Sequence, residues 1–254
     1  MSKDNGSVES SGIVYGRNAV TELLKSDALI DVIFVNKNAG GSINRICALA
    51  REKGVPIKQV DDRRLNTLCS TSAHQGAAAM TACAEYSSVE EILEYARQKN
   101  EEPLIIICDE ISDPHNLGAI MRTAEAAGAH GIIIPKRRSA SLNSTVFKTS
   151  AGAAAWVKTA RVSNLASAIE TLKRNGVWIY GADAGGESVY ETNLMGAAAL
   201  VIGSEGFGIG RLVKEKCDFL ISLPMYGEIN SLNASVAAGI CMYEAVRQRK
   251  SVKE

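Results

Sequence analysis

Residues 199–238, ALVIGSEGFGIGRLVKEKCDFLISLPMYGEINSLNASVAA, decide how this chain folds. Two apolar runs, 200–202 and 219–223, each pass into a polar, glycine-bearing loop that leads to a helix-like segment. Continuous apolar strands alternating with helices belong to a mainly parallel sheet covered on both faces. In open sheets of that class, ligands bind outside the carboxyl ends of the strands. The first loop brings bare backbone and one carboxylate, Glu205, to the sheet edge; the second follows Pro224 and Met225 and delivers Ser231-Leu232-Asn233 to a helix start. The two loops are candidates for one pocket.

The same alternation extends upstream to residue 104. Strands are expected at 104–108, 131–134, 177–182, 198–202 and 219–223, with helices at 118–127, 164–174, 209–216 and 231–247. Residues 12–84 read as a smaller α/β module. It has helical spacing at 19–24, a strand at 31–35, an amphipathic helix at 43–53 stopped by Gly54, a strand at 55–60 and a closing strand at 76–84. Between the modules, SSVEEILEYARQKN (87–100) carries Ser88 three residues before Glu91, a capping-box pattern, and Pro103 ends that helix. The expected organisation is a disordered lead-in at 1–11, a small domain at 12–84, an acidic linker at 85–102 and a large domain at 103–254.

A hydrophobic content of 46% and a charged content of 22% are those of a soluble globular protein. No apolar run approaches the roughly 20 residues needed to cross a bilayer, and the polar start MSKDNGSVESSG has no signal-peptide core. A cytoplasmic protein without membrane contact is expected. Six cysteines (47, 69, 83, 108, 217 and 241) form no CxxC pair and read as free thiols in a reducing compartment; three isolated histidines give no metal-ligand spacing. The net charge of zero conceals an asymmetry. Residues 87–102 carry 2 Lys/Arg against 5 Asp/Glu, whereas residues 103–254 carry 16 against 14. Arg63-Arg64 and Lys136-Arg137-Arg138 are thus available for phosphates, or are simply solvated surface.

A third polar loop, DEISDPHNLG (109–118), runs from the strand at 104–108 into a helix. Asn116 can cap that helix through its side chain. Arg122 and Glu125, three apart, share a helical face, either as a surface ion pair or with Arg122 aimed at whatever the strand ends bind. His115 beside Pro114, and His74 in the small module, read as structural. Ser231 has no paired histidine, which argues against a hydrolase triad, and GFGIG (206–210) is not a dinucleotide fingerprint.

Taken together, DPHNLGAIMRTAEAAG, VIGSEGFG and LPMYGEINSLNASVA closely resemble the three signature regions of the SpoU (TrmH-type) RNA ribose 2′-O-methyltransferases, of the SPOUT class. IVYGRNAVTELL, AHQGAAA, PKRRSASLN and ASVAAGICMYEAVRQR extend the resemblance to members that methylate a guanosine ribose of bacterial 23S rRNA. The resemblance implies an α/β fold with a C-terminal trefoil knot, an L30e-like N-terminal domain that binds RNA, and a homodimer. It implies S-adenosylmethionine as cofactor, held mainly by backbone at Gly203, Leu223 and Leu232, with Ala182 and Met225 alongside. Its catalytic arginine falls on Arg122, accompanied by Asn116, Glu205, Ser231 and Asn233. A tRNA ribose methyltransferase, or a catalytically silent RNA-binding or ribosome-assembly protein on the same scaffold, are the alternatives.

Overall fold

The run IDVIFVN is apolar almost throughout because it is buried on both faces. It forms β2 (Ile30–Asn36) in the computed structural model, which describes residues 12–26, 28–37, 40–81 and 85–250. Ile33 and Val35 point one way and pack with Val20, Leu24, Ile43 and Ile46; Val32 and Phe34 point the other and pack with Leu65 and Cys69. The first set belongs to helices α1 (Arg17–Lys25) and α2 (Ser42–Glu52), the second to α3 (Asp62–Cys69). With β1 (Ile13–Tyr15), β3 (Ile57–Val60) and β4 (Ala77–Thr81), β2 makes a four-stranded sheet of order β1-β4-β2-β3, parallel only between β2 and β3. This is the core of one compact unit, which runs up to Glu85 and includes residues 142–144.

Sequence pattern does not reveal β1 or α3. The first is three residues long, and the second rests on an Asp61 cap whose carboxylate accepts the Arg64 N–H at 2.8 Å. Arg63 and Arg64 are exposed on that helix. His74 is a turn residue, as expected: its Nδ1 accepts the Gly76 N–H at 3.0 Å, and its Nε2 lies 2.9 Å from Asn66 Oδ1. The lead-in at 1–11 and residues 82–84 of the expected closing strand lie outside the described residues.

The second unit comprises residues 86–141 and 145–254. Its elements are α4 (Val89–Gln98), β5 (Leu104–Cys108), α5 (Pro114–Ala126), β6 (Gly131–Pro135), α6 (Ser144–Thr149), β7 (Thr159–Val162), α7 (Leu165–Arg174), β8 (Trp178–Ser188), β9 (Ala198–Ile202), α8 (Arg211–Lys214), β10 (Phe219–Ser222) and α9 (Ala234–Lys250). Six strands form one parallel sheet of order β10-β8-β9-β5-β6-β7. Ile105, Ile107, Ile133, Val201 and Ile179 cover one face together with α4, α7 and α8, while α5 and α9 pack against each other over the sheet's other face. Residues 85–102 are therefore not a linker beyond their first position. The capping box forms, Glu91 N–H to Ser88 Oγ at 3.1 Å and Ser88 N–H to Glu91 Oε2 at 2.6 Å, and the α4 face of Val89, Ile92 and Leu93 belongs to this core. Ile92 lies so close to Gly131 that a Cβ there would sit 2.7 Å from it.

Two features place the end of the sheet where the candidate residues lie. β8 pairs with β10 at Tyr180 and Gly181, then again only at Glu187 and Ser188, so residues 182–186 bulge out of the ladder. Gly186 permits this, since a Cβ would meet the Leu220 carbonyl carbon at 2.4 Å. At the far end of α9, Arg249 donates to the carbonyls of Glu102, Pro103, Leu194 and Gly196, and Gln248 accepts the Leu194 N–H at 2.8 Å and donates to Thr192 O at 2.9 Å. The C-terminal helix is thereby fastened to the starts of β5 and β9.

Cys69, Cys108 and Cys241 are buried free thiols, and burial pushes the last two up to about 12; Cys83 lies outside the described residues. Buried His130 accepts the Leu104 N–H on Nδ1 at 3.0 Å and pairs Nε2 with Glu101 at 3.1 Å. Burial, the largest influence, lowers its pKa below the ordinary 6.5, so the ring is neutral and the Glu101 contact is a hydrogen bond. The unfolded chain then binds the extra proton, and the stability this site contributes is present above about pH 6.5 and lost as the pH falls through that value. The melting temperature of the wild type should fall more steeply between pH 7 and 5.5 than that of His130→Asn. Parallel slopes would show that His130 does not titrate with unfolding.

Candidate active site

The loop after β9 is a tight turn. Ser204 and Gly208 exchange backbone hydrogen bonds of 2.9 and 3.0 Å, and Gly206 and Gly208 hold φ values of +85° and +65°. A Cβ on Gly203 would lie 2.1 Å from the Gly208 carbonyl carbon. The bareness of Gly203 thus serves closure of its own loop. Buried Asp109, at the end of β5, accepts the Gly210 N–H at 2.7 Å and clamps the far side of this loop. Burial pushes its carboxyl up. Sequence reading passes over Asp109 because an acidic residue after an apolar strand looks like any loop start.

The turn aims Glu205 at two amides. Asn233 Nδ2 donates to Glu205 Oε1 at 2.5 Å and to Asn116 Oδ1 at 2.9 Å, and Asn116 Nδ2 donates to the same Glu205 oxygen at 3.1 Å. The orientation of both amides is forced. Asn233 Oδ1 is occupied by the N–H groups of Ser235 and Val236 and by the Ser235 hydroxyl, as the cap of α9. Its nitrogen must therefore face Asn116 and Glu205, and a carboxylate can only accept. Asn233 is both helix cap and network member. Asn116 is not the cap of α5: that place belongs to Asp113, which accepts the His115 N–H at 2.8 Å with Pro114 in the first turn. Asn116 instead lies buried inside the first turn.

A cavity of about 990 Å³ opens between these loops and the β8 bulge. Gly203, Glu205, Leu223, Met225, Ser231, Leu232, Asn233 and Ala182 all line it. Among the described residues, no protein hydrogen bond occupies the backbone groups of Gly203, Leu223 and Leu232. Asp183, on the bulge, also lines the cavity, and its ion pair with Lys214 at 2.8 Å holds its carboxyl below the usual range. Ser231 is exposed on the loop before α9. Arg122 is not part of the cavity wall. It stands exposed on α5, six residues beyond Asn116, with no side-chain partner among the described residues; the Arg122–Glu125 ion pair does not form. No group of three His, Cys, Asp or Glu able to hold a metal occurs among the described residues.

A six-stranded parallel sheet whose strand-end loops converge on one cleft is the fold of the SpoU methyltransferases. The crystal structure of the SpoU methyltransferase AviRb from Streptomyces viridochromogenes in complex with AdoMet superposes with a TM-score of 0.60 at 22% identity, covering 94% of this chain and 90% of that one. The Aquifex aeolicus TrmH/SpoU tRNA modifying enzyme matches at 29% identity and a TM-score of 0.55, over 65% of this chain and 86% of its own. This chain belongs to the SpoU rRNA methylase family, whose model matches residues 103–243, and a model described as RNA 2′-O ribose methyltransferase substrate binding matches residues 13–87. A Bacillus subtilis relative, YacO, named provisionally as a TrmH family tRNA/rRNA methyltransferase, is 49% identical over 95% of this chain and 97% of its own.

The network makes a specific demand on position 233. Asn233→Asp keeps the capping oxygen but turns a donor into a second carboxylate facing Glu205, so one of the two carboxyls must be raised in pKa. At pH 8 the variant should be less stable than wild type by about 1 kcal/mol, a few degrees of Tm. The deficit should shrink at pH 5, where a shared proton restores the hydrogen bond. A deficit independent of pH would show that Glu205 and residue 233 do not interact.

Proposed function

We propose that this protein transfers a methyl group from S-adenosylmethionine to a ribose 2′-hydroxyl of RNA, with a guanosine of 23S rRNA as the target. The observation that carries the reading is the Asn116–Glu205–Asn233 network, which joins all three family signature regions at the wall of one cavity. An intact network of this kind speaks against a silent RNA-binding protein on the same scaffold. The rRNA guanosine target rests on the motifs outside the signatures. Transfer to a tRNA ribose is the second reading, favoured by relatives whose names span tRNA and rRNA.

The cavity fits the cofactor. Its volume lies at the upper end of the roughly 300–1,000 Å³ of small-molecule sites, and its free backbone groups at Gly203, Leu223 and Leu232 suit the edge of an adenine and a ribose. Ala182 and Met225 supply apolar wall. Bound there, S-adenosylmethionine supplies a methyl group already activated on a sulfonium. The protein's task is then alignment. A ribose hydroxyl is a weak nucleophile at neutral pH, and a guanidinium is a poor proton acceptor. Arg122 would therefore bind the target phosphate in its planar fork and draw the 2′-oxygen into line; as the O–CH₃ bond forms the S–CH₃ bond breaks, leaving a neutral thioether, and the hydroxyl proton, loosened by the neighbouring phosphate, is lost to water. Asn116, Glu205 and Asn233 fix the loops, and Ser231 orients the ribose.

Two further parts belong to the same proposal. The small N-terminal unit binds structured RNA by shape and unstacked bases, in keeping with its match to a substrate-binding model. A second copy of the chain covers the exposed face of α9, where Val236, Ile240 and Tyr243 follow at helical spacing and the first and last are half exposed. The C-terminal segment passes through the chain as a trefoil knot. Arg122→Ala should lower methyl transfer to RNA by about a hundredfold or more, with affinity for S-adenosylmethionine unchanged by calorimetry. Transfer at the wild-type rate would remove Arg122 from the mechanism.

A further inference from the structure

Phe207 is the most conspicuous side chain at the cavity that the alignment chemistry leaves unused. It lines the cavity, yet it is 95% exposed, and it sits between Gly206 and Gly208 at the tip of the tight turn that carries Glu205. The turn is fixed at both ends, by the Ser204–Gly208 hydrogen-bond pair and by the Asp109 clamp on Gly210. The ring is thus presented on a rigid base. A lone exposed aromatic means little, but this one has company. On the loop before α9, Tyr226 is 96% and Ile229 71% exposed, and Met225 and Leu232 also show apolar surface.

Charge narrows what can bind here. Neither the 203–210 loop nor the 223–233 loop contains a lysine or arginine; their only charged residues are Glu205 and Glu228. The loops themselves thus bring no cation to the mouth, and Lys214 beside the cavity is paired with Asp183, whereas an uncharged aromatic ring is matched by Phe207. A ribose whose 2′-oxygen must be reached from within a cleft is most easily presented on an unstacked nucleotide, and the base of such a nucleotide needs a new stacking surface.

We infer that Phe207 is that surface: the nucleobase of the target nucleotide, turned out of its RNA stack, lies on the Phe207 ring at the mouth of the cavity. The inference rests on the RNA ribose methyltransferase reading and adds a substrate-positioning residue to it. Stacking on an aromatic ring tolerates any base, so Phe207 contributes to holding the nucleotide rather than to choosing it. The geometry divides the labour. Glu205 points inward to the two amides, while its second neighbour points outward to the substrate.

The test compares wild type, Phe207→Ala and Phe207→Trp in methyl transfer from labelled S-adenosylmethionine to RNA from a strain deleted for this gene. Affinity for S-adenosylmethionine alone and sedimentation of each protein are measured in parallel. Phe207→Ala should lower kcat/KM for RNA about tenfold, with the loss in KM, and Phe207→Trp should recover most of it. Cofactor affinity and sedimentation should match wild type. An unchanged KM in Phe207→Ala would overturn the inference while leaving the function in place. So would weakened cofactor affinity, which would put the ring against the cofactor, or a change in oligomeric state, which would put it between copies of the chain. Failure of the wild type to methylate RNA would overturn the function itself, and the inference with it.

Discussion

One amide holds the site together. The side chain of Asn233 uses its oxygen to cap α9 and its nitrogen to bind Asn116, in the first turn of α5, and Glu205, on the loop after β9. It thereby ties the start of α9 to two segments far from it in sequence, which the Asp109–Gly210 bond also couples to each other. A residue at this place must present an acceptor and a two-proton donor on one short stem. Aspartate has no donor, serine has one proton to give, and only asparagine meets both needs at N-cap reach. The polar groups of the network satisfy one another, so the cleft gains a fixed wall without leaving amides unpaired. The family's second and third signatures are two halves of one hydrogen-bonded object.

Because those polar side chains are occupied with each other, the cavity offers a ligand mostly backbone, apolar wall and the edges of the Glu205 and Asp183 carboxylates. Exposed cations stand outside these two loops, on Arg122 and on the clusters at 63–64 and 136–138. This separation of duties is consistent with a net charge of zero.

The strands at 104–108 and 198–202 were legible to the residue, since both lie in the middle of a parallel sheet and are apolar on both faces. Two short elements leave no such trace. β7 (TARV) is short and half polar, α6 spans six residues, and neither has a period to detect. The capping box makes the helix within 87–100 legible but not its place in the core, because three glutamates hide the Val89–Ile92–Leu93 stripe that packs there. At the site, the three motifs mark the residues that line the cavity, whereas Arg122 stands outside its wall and the wiring leaves no trace in the sequence. The misplacement of Asn116 as a cap is instructive: Asp113, three residues earlier, won that position because Pro114 starts the helix ahead of it. Tertiary clamps such as Asp109 to Gly210 join residues about a hundred apart and leave no local trace.

The central claim is that the acceptor atom is a ribose 2′-oxygen, and alkaline hydrolysis reads that atom directly. A methyl group on the 2′-oxygen removes the nucleophile that cleaves the adjacent phosphodiester. RNA labelled by the protein with radioactive S-adenosylmethionine should therefore release its label in alkali-resistant dinucleotides. Label recovered in mononucleotides would mean that a base is methylated and would contradict the account.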